Sequence, residues 1–285
     1  MSYVDGHVLK RENQKWKVCV LGLGEVGYPT ARYVSMQGHE TWGYDKSSEA
    51  IRKAKNIRAT SHWDRIPHES IDVYIVCVWT GISDSSKPDM SAIYDVSKKI
   101  MSQSRRRPLV SIESTVSVGT CRKIHQTIFE GSVDLVHVPH RYWKEFPVER
   151  GVKQDRVIGG VDTRSLEKGF KFYGQLNVPL FHASTIEIAE ASKIVENAYR
   201  YLQIAFAEEL RMVCGERGWS FKELRDACNT KWNIEILDAR DGIGGHCLPK
   251  DARYLVAMSK HNLLLKNAIT ADQRYRRWLS RAKER

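Results

Sequence analysis

No two of the six cysteines form a C-x-x-C pair; Cys19, Cys77, Cys121, Cys214, Cys228 and Cys247 are scattered through 285 residues. That spacing excludes a zinc ribbon and offers no disulfide frame, so free thiols in a reducing compartment are expected, and no metal. No apolar run reaches membrane-spanning length. Residues 1–15 have no apolar signal core and read as a flexible arm. A cytoplasmic location without a membrane span is the expectation. No internal repeat or low-complexity linker interrupts the chain. The formal net charge is +11, much of it in Arg105-Arg106-Arg107 and in the tail from Arg274 to Arg285. Neither a zinc finger nor an RNA-binding aromatic signature accompanies it, so nucleic acid is not expected as a partner. A solvated basic face is the default, and a phosphate-bearing small molecule or an anionic membrane surface are the other partners such charge serves.

What is present begins with Trp16 to Leu21, a short apolar run that enters Gly22-Leu23-Gly24-Glu25-Val26-Gly27, with a helix from Tyr28 to Gln37. A second strand, Glu40 to Tyr44, ends at Asp45. This is G-x-G-x-x-G in the setting it needs, with a strand before, a helix after and an acid about 20 residues on. Gly22 makes the tight turn, Gly24 admits a pyrophosphate that sits on the helix N-terminus, and Gly27 lets helix and strand pack, with Val26 among the expected cofactor-binding residues. Asp45 would accept hydrogen bonds from the adenosine ribose and repel a 2′-phosphate. NAD is therefore the expected cofactor.

The α/β rhythm continues through a continuous apolar run, Ile71 to Val78, as a parallel strand covered on both faces requires. Trp79-Thr80 follows at the strand's C-terminal end, where ligands bind in open sheets. A helix over Ser91 to Ser102, a strand over Pro108 to Ile112 and a helix over Cys121 to Phe129 come next. Thr115, between the last two, is placed to meet cofactor or substrate, or to cap a helix. Strands are expected over 133–138, 157–160 and 179–181. A doubly wound parallel sheet over residues 16–183 is the implied fold. From 184 to 285 the pattern is helical, with a long helix over 186–214 stopped by Gly215, a capped helix over 221–228, another from near Asp251 and a last from about Asn267. Lys193 and Asn197 share a face of the long helix. They could polarise an oxygen on the carbon that exchanges hydride, or face solvent.

Gly244-Gly245-His246-Cys247-Leu248-Pro249-Lys250-Asp251 places a thiol after two glycines. His246 and Lys250 would favour the thiolate, and Asp251 could take a proton or hold a water. Alone, the same stretch is equally a glycine turn before a helix.

Together these pieces resemble the UDP-glucose/GDP-mannose (nucleotide-sugar 6-) dehydrogenase family. The matching stretches are Gly22 to Pro29, Pro88-Asp89, Glu113 to Thr120, Asp155 to Gly160, Lys193 to Arg200 and Gly244 to Asp251, in the family's order, spanning about Val18 to Ala271. The resemblance implies an NAD-binding Rossmann-like domain followed by an all-helical dimerisation domain, hence a homodimer. It implies that Cys247 captures an aldehyde as a thiohemiacetal, which a second oxidation turns into a thioester for hydrolysis. Lys193 and Asn197 would then stabilise oxygen charge, with Thr115 and Asp251 on the water. Gly244 and His246 would lie against the substrate, and Trp79, Thr80, Thr115 and Lys250 against the cofactor. Three features depart from the family. Its third, nucleotide-gripping domain is not in this sequence and could come from a separate chain. Its Pro-Glu is Pro139-His140, with Lys144 where one branch has a second glutamate, so His140 stands in for the hydrolytic base. Its substrate-reaching arginine falls at Asn233. The residues also admit a single-step hydroxyacid-type dehydrogenase using Lys193 and Asn197 without the thiol, or a homologue that binds NAD for an altered substrate or a regulatory role.

Overall fold

The computed structural model describes residues 14–83, 87–104 and 106–283. Residues 1–13 of the expected arm, Arg105 of the basic run and the last two residues of the basic tail lie outside them. The chain divides into two compact units, Met1–Gly81 with Pro88–Lys193, and Ile82–Lys87 with Ile194–Arg285. The division falls within a helix, some residues after the change of composition at 184.

The first unit is built on an eight-stranded sheet of β1 (Lys17–Leu21), β2 (Glu40–Tyr44), β3 (Arg58–Thr60), β4 (Val73–Val76), β7 (Leu109–Ile112), β8 (Asp134–His137), β9 (Arg156–Gly160) and β10 (Leu180–His182). Two short strands, β5 (Gly81–Ile82) and β6 (Pro88–Asp89), lie outside it. The sheet order is β10-β9-β8-β7-β4-β1-β2-β3. The chain runs outward from β1 to β3, then returns to place β4 on the other side of β1. The crevice at the carboxyl ends of β1 and β4 is the switch point where open α/β sheets bind ligands. Every residue of β4, β7 and β8 is buried, as expected for a sheet with helices on both faces. One strand departs from the expected all-parallel pattern: β9 pairs with β8 antiparallel, Val136 opposite Gly160. Its apolar run looks like its neighbours', and pairing direction leaves no mark on composition.

The helices are α1 (Gly27–Met36), α2 (Ser48–Lys53), α3 (Ser91–Gln103), α4 (Thr120–Thr127) and α5 (Thr163–Gln175), then α6 (Ile186–Arg217), α7 (Phe221–Cys228), α8 (Cys247–Met258) and α9 (Leu263–Lys283). The short β3 and α2, and the amphipathic α5, were not anticipated. Asp162 caps α5 by accepting the Ser165 amide at 2.7 Å, a local signal that reasoning from apolar runs passed over.

Three helix ends in the second half correct the sequence reading. The long helix does not stop at Gly215. It continues to Arg217, and Gly218, at φ +70°, takes the left-handed cap, with the Trp219 amide donating to the Cys214 carbonyl at 2.9 Å. Gly215 instead makes room for Trp278 of α9: a Cβ there would lie 2.8 Å from the indole. Next, α9 starts at Leu263 rather than Asn267. Last, α8 starts at Cys247, a full turn before Asp251. Pro249 is compatible with that, because the first turn of a helix needs no amide donor there. In the second unit Ala198, Tyr201 and Ala205 of α6 pack with Ile243, Ala252 of α8, and Leu265 and Ala268 of α9.

Candidate active site

At the switch point the glycine loop is shaped as the fingerprint requires. Gly22 has φ +89°, and a Cβ on it would sit 2.5 Å from the Cys77 carbonyl of the β4 end. A Cβ on Gly27 would sit 1.8 Å from the Gly22 carbonyl oxygen. These two glycines are forced by backbone packing. Gly24 differs: nothing lies within 4 Å of a Cβ built there, so the space before the start of α1 is open. Val26 is the N-cap of α1 and offers no side-chain cap, which leaves the first amides for a ligand anion. The cradle therefore fits a pyrophosphate. Asp45, at the end of β2, accepts from the Leu23 amide at 2.7 Å and the Ser47 amide at 2.8 Å. It ties the glycine loop to β2, and each carboxylate oxygen keeps capacity for a ribose hydroxyl.

The neighbouring strand ends add polar groups. Trp79 is 60 % exposed beyond β4. Thr80 is buried, its hydroxyl donating to the Thr115 carbonyl at 2.8 Å, so it links the loops after β4 and β7. Thr115 is half-buried. His140, beyond β8, is 4 % exposed, and neither ring nitrogen has a hydrogen-bond partner among the described residues. Burial first, then the charges of Arg156 and Lys193, hold its imidazole well below the ordinary histidine value. It is neutral at neutral pH, able to take a proton but a weak base. Lys193 itself is half-buried in α6. Lys144 lies further along the same loop.

The sequence reading assigned no role to the residues that fix this loop. Arg156, wholly buried at the start of β9, pairs with Glu113 at 3.0 Å and donates to the Pro139 carbonyl at 3.4 Å and to the Val138 carbonyl. Glu113 also accepts from the Tyr173 hydroxyl at 2.6 Å, which bonds Ser111 at 2.7 Å. The Glu113 carbonyl takes the His140 amide at 3.1 Å. A buried arginine thus sets the backbone that carries His140. A second unanticipated group is Glu190 of α6, wholly buried, which accepts the Gly119 and Cys121 amides at 2.6 and 2.7 Å and caps α4. The quoted motifs contained Glu113 and Arg156; only their buried contact shows what they do.

In the second unit Asn197 donates to Asp251 at 2.5 Å, so α6 and α8 share a polar contact. Asp251 is 0 % exposed, and its other oxygen faces the Lys250 ammonium at 2.7 Å, off the hydrogen-bond axis. Lys250 is 5 % exposed and lies 4.5 Å from the Tyr254 ring centre. Its charge is largely met by the carboxylate and the ring. Cys247 is the first residue of α8 and exposed, whereas Cys19, Cys121 and Cys214 are buried. Gly245 has φ +78° and open space around it, so its backbone conformation is what demands glycine. Gly244 and His246 are exposed beside it, and Asn233 is exposed in the segment after α7. Among the described residues no three His, Cys, Asp or Glu side chains cluster as metal ligands, and no helix is long and apolar enough to cross a membrane.

Comparison with known proteins bears on the family and the fold. Residues 51–177 match the NAD binding domain of the UDP-glucose/GDP-mannose dehydrogenase family, and residues 187–274 match that family's central domain. The glycine loop lies just upstream of the first match. The chain is similar to the UDP-N-acetyl-D-mannosamine dehydrogenase of Methanococcus vannielii, 30 % identical over 281 residues that cover 91 % of this chain and 66 % of the relative. It is 28 % identical to the NDP-N-acetyl-D-galactosaminuronic acid dehydrogenase of Ralstonia nicotianae, covering 84 % of this chain and 64 % of that one. The solved UDP-D-ManNAc dehydrogenase of Pyrococcus horikoshii superposes with a TM-score of 0.83 at 27 % identity, over 90 % of this chain and 68 % of the other. The chain thus spans just under two thirds of the length of the curated relatives it matches. By its two matched domains, its fold and its glycine cradle, the chain belongs to the UDP-glucose/GDP-mannose dehydrogenase family and carries that family's NAD-binding domain.

Proposed function

We propose that this chain is an NAD-dependent dehydrogenase that oxidises the primary alcohol of a nucleotide sugar to a uronic acid in two steps. The observation that carries the reading is Cys247: the exposed thiol sits at the first residue of a helix whose buried Lys250 and Asp251 meet the half-buried Asn197. Gly22, Gly24, Val26, Gly27 and Asp45 hold NAD, which supplies the hydride acceptor when bound. Trp79, Thr80 and Thr115 line its nicotinamide side. Lys193 and Asn197, one helical turn apart on α6, steady the substrate oxygen as its proton leaves. The Cys247 thiolate then adds to the aldehyde carbon and keeps the intermediate on the protein as a thiohemiacetal. After the second oxidation a water held by Thr115 and Asp251 attacks the thioester, with His140 as the base. Gly244 and His246 flank the sugar, and Lys250 fixes Asp251. In this scheme residues 16–183 form the cofactor-binding domain and residues 184–285 the helical domain, a division by sequence that differs from the two compact units, which part between Lys193 and Ile194. Counting NADH released per molecule of UDP-sugar consumed tests the scheme. Two is the expected count. A count of one would move the assignment to a single-step hydroxyacid-type dehydrogenase, and none, with NAD bound, to a non-catalytic homologue.

Cofactor choice follows from Asp45. NAD⁺ should bind well and NADP⁺ much more weakly, because a carboxylate beside the ribose opposes a 2′-phosphate. Asp45→Ala should narrow the gap in a calorimetric titration. Equal affinity of the unmodified protein for both dinucleotides would contradict the assignment.

A homodimer through α6 is the second expectation. Ile188, Val195, Tyr199, Phe206 and Val213 are 40–62 % exposed and recur along one stripe of the helix. Such a stripe is left to a partner helix. Light scattering at tens of micromolar should give twice the chain mass, and Phe206→Glu should shift it toward the monomer. A monomeric unmodified protein would refute the interface.

A further inference from the structure

We infer a second anion site in the first unit, at the amino-terminal edge of the sheet, that binds a small molecule carrying a diphosphate. The parallel register aligns the starts of β1, β4, β7 and β8: Val18 pairs with Val73, Val73 with Leu109, and Leu109 with Asp134. The glycine cradle follows the end of β1, so this edge is the opposite one. Here the residues entering the strands, Trp16, Asp72, Pro108 and Asp134, line a cavity of about 490 Å³. That volume falls within the usual range for small-molecule sites.

The charge in this cavity is unusual. Among the described residues five cationic side chains line it, Arg106, Arg107, Arg164, Lys168 and Lys171, against three carboxylates, Asp72, Asp134 and Glu167. Three of the cations converge on one buried carboxylate. Asp134 lies 2.6 Å from Arg107, 3.3 Å from Arg164 and 3.0 Å from Lys168. A single carboxylate cannot neutralise three cations, so it organises them and leaves a positive excess. Arg107 is held further by the Gly131 carbonyl at 2.5 Å, and Lys168 by the Arg107 carbonyl at 2.8 Å. These cations are therefore pre-positioned, which lowers the ordering cost of binding an anion. Asp72 is engaged by the Lys17 amide at 2.9 Å. Arg164, Lys168 and Lys171 recur at spacings of four and three on α5, so the helix presents them on one face toward the cavity.

A diphosphate suits this arrangement better than a single carboxylate ligand. Its charge matches the excess, and the guanidinium groups of Arg106, Arg107 and Arg164 can make paired bonds to its oxygens. The site uses none of the residues of the proposed dehydrogenase centre, so it stands or falls separately from that function.

The test is calorimetric titration with inorganic pyrophosphate of the unmodified protein and of a variant altered only in this cavity, so that any binding at the glycine cradle is common to both. Arg106 and Arg164 are exposed, so the doubly substituted Arg106→Ala, Arg164→Ala protein is expected to fold. Retained NAD⁺ affinity provides the check on folding. The expected result is saturable, salt-sensitive pyrophosphate binding, weakened roughly tenfold or more in the double variant. Absence of binding at millimolar pyrophosphate, or equal affinity of the two proteins, would overturn the site. A single-stranded oligonucleotide that displaces pyrophosphate at far lower concentration would also overturn it, in favour of a nucleic-acid surface.

Discussion

Cys247→Ser should abolish the second oxidation while leaving NAD⁺ affinity unchanged. The thiol lies at the head of α8 in the second unit, whereas the glycine cradle belongs to the first. A serine hydroxyl in the same place is almost wholly protonated at neutral pH and adds poorly to an aldehyde, so the overall rate to acid should fall roughly a thousandfold or more. Cys247→Ala should release free aldehyde wherever the first oxidation survives. In the unmodified protein, hydrolysis should be the slow step. His140, held neutral and weakly basic by burial and by the charges of Arg156 and Lys193, is a poor base for activating water. A thioester adduct on Cys247 should then build up, visible as an added mass in intact-protein mass spectrometry after mixing with NAD⁺ and UDP-sugar. A Cys247→Ser protein that still releases two NADH per sugar at the original rate would make the thiol a bystander.

Arg156→Met should lower thermal stability more than any surface change. The guanidinium is wholly buried and its partner Glu113 is buried with it, so removing one charge strands the other in the sheet interior. Breaking such a pair costs about 3–5 kcal/mol. For a unit of this size that corresponds to a drop in melting temperature on the order of 10 °C. The paired substitution Arg156→Met, Glu113→Leu should recover much of it, because neither group is then left uncompensated. By contrast Lys53→Ala, which removes an exposed partner of Glu49, should leave the midpoint where it was. The same Arg156 change should also reduce turnover beyond the loss of folded protein, since the guanidinium holds the Val138 and Pro139 carbonyls that precede His140. A melting temperature within about 2 °C of the parent would show that the pair contributes little.

What could be read directly from residues was chiefly local. The glycine fingerprint is legible because its constraints act over a few residues: Gly22 and Gly27 are forced by contacts within one strand–turn–helix, and Asp45 reaches back to the Leu23 amide. The buried strands over 73–76, 109–112 and 134–137 announce themselves as apolar runs. The motif around Cys247 located the thiol, but not the start of its helix. An apolar period cannot show where a helix begins when its first turn contains Pro249. Gly215 was misread for a related reason. Glycine serves equally as a stop or as clearance for a neighbour, and only the Trp278 ring shows which.

The sequence alone thus determined most of the α/β order, the glycine loop and the place of Cys247 in its glycine turn, because each depends on interactions between residues close along the chain. Tertiary structure alone decided the antiparallel turn of β9, the Glu190 cap on α4, the Arg156–Glu113 pair that holds the His140 loop, and the approach of Asn197 to Asp251. In each of these, the partners are separated by tens of residues. Burying a polar group there costs energy unless its partner is buried with it, and a buried charge has no defined partner until the fold has closed around it.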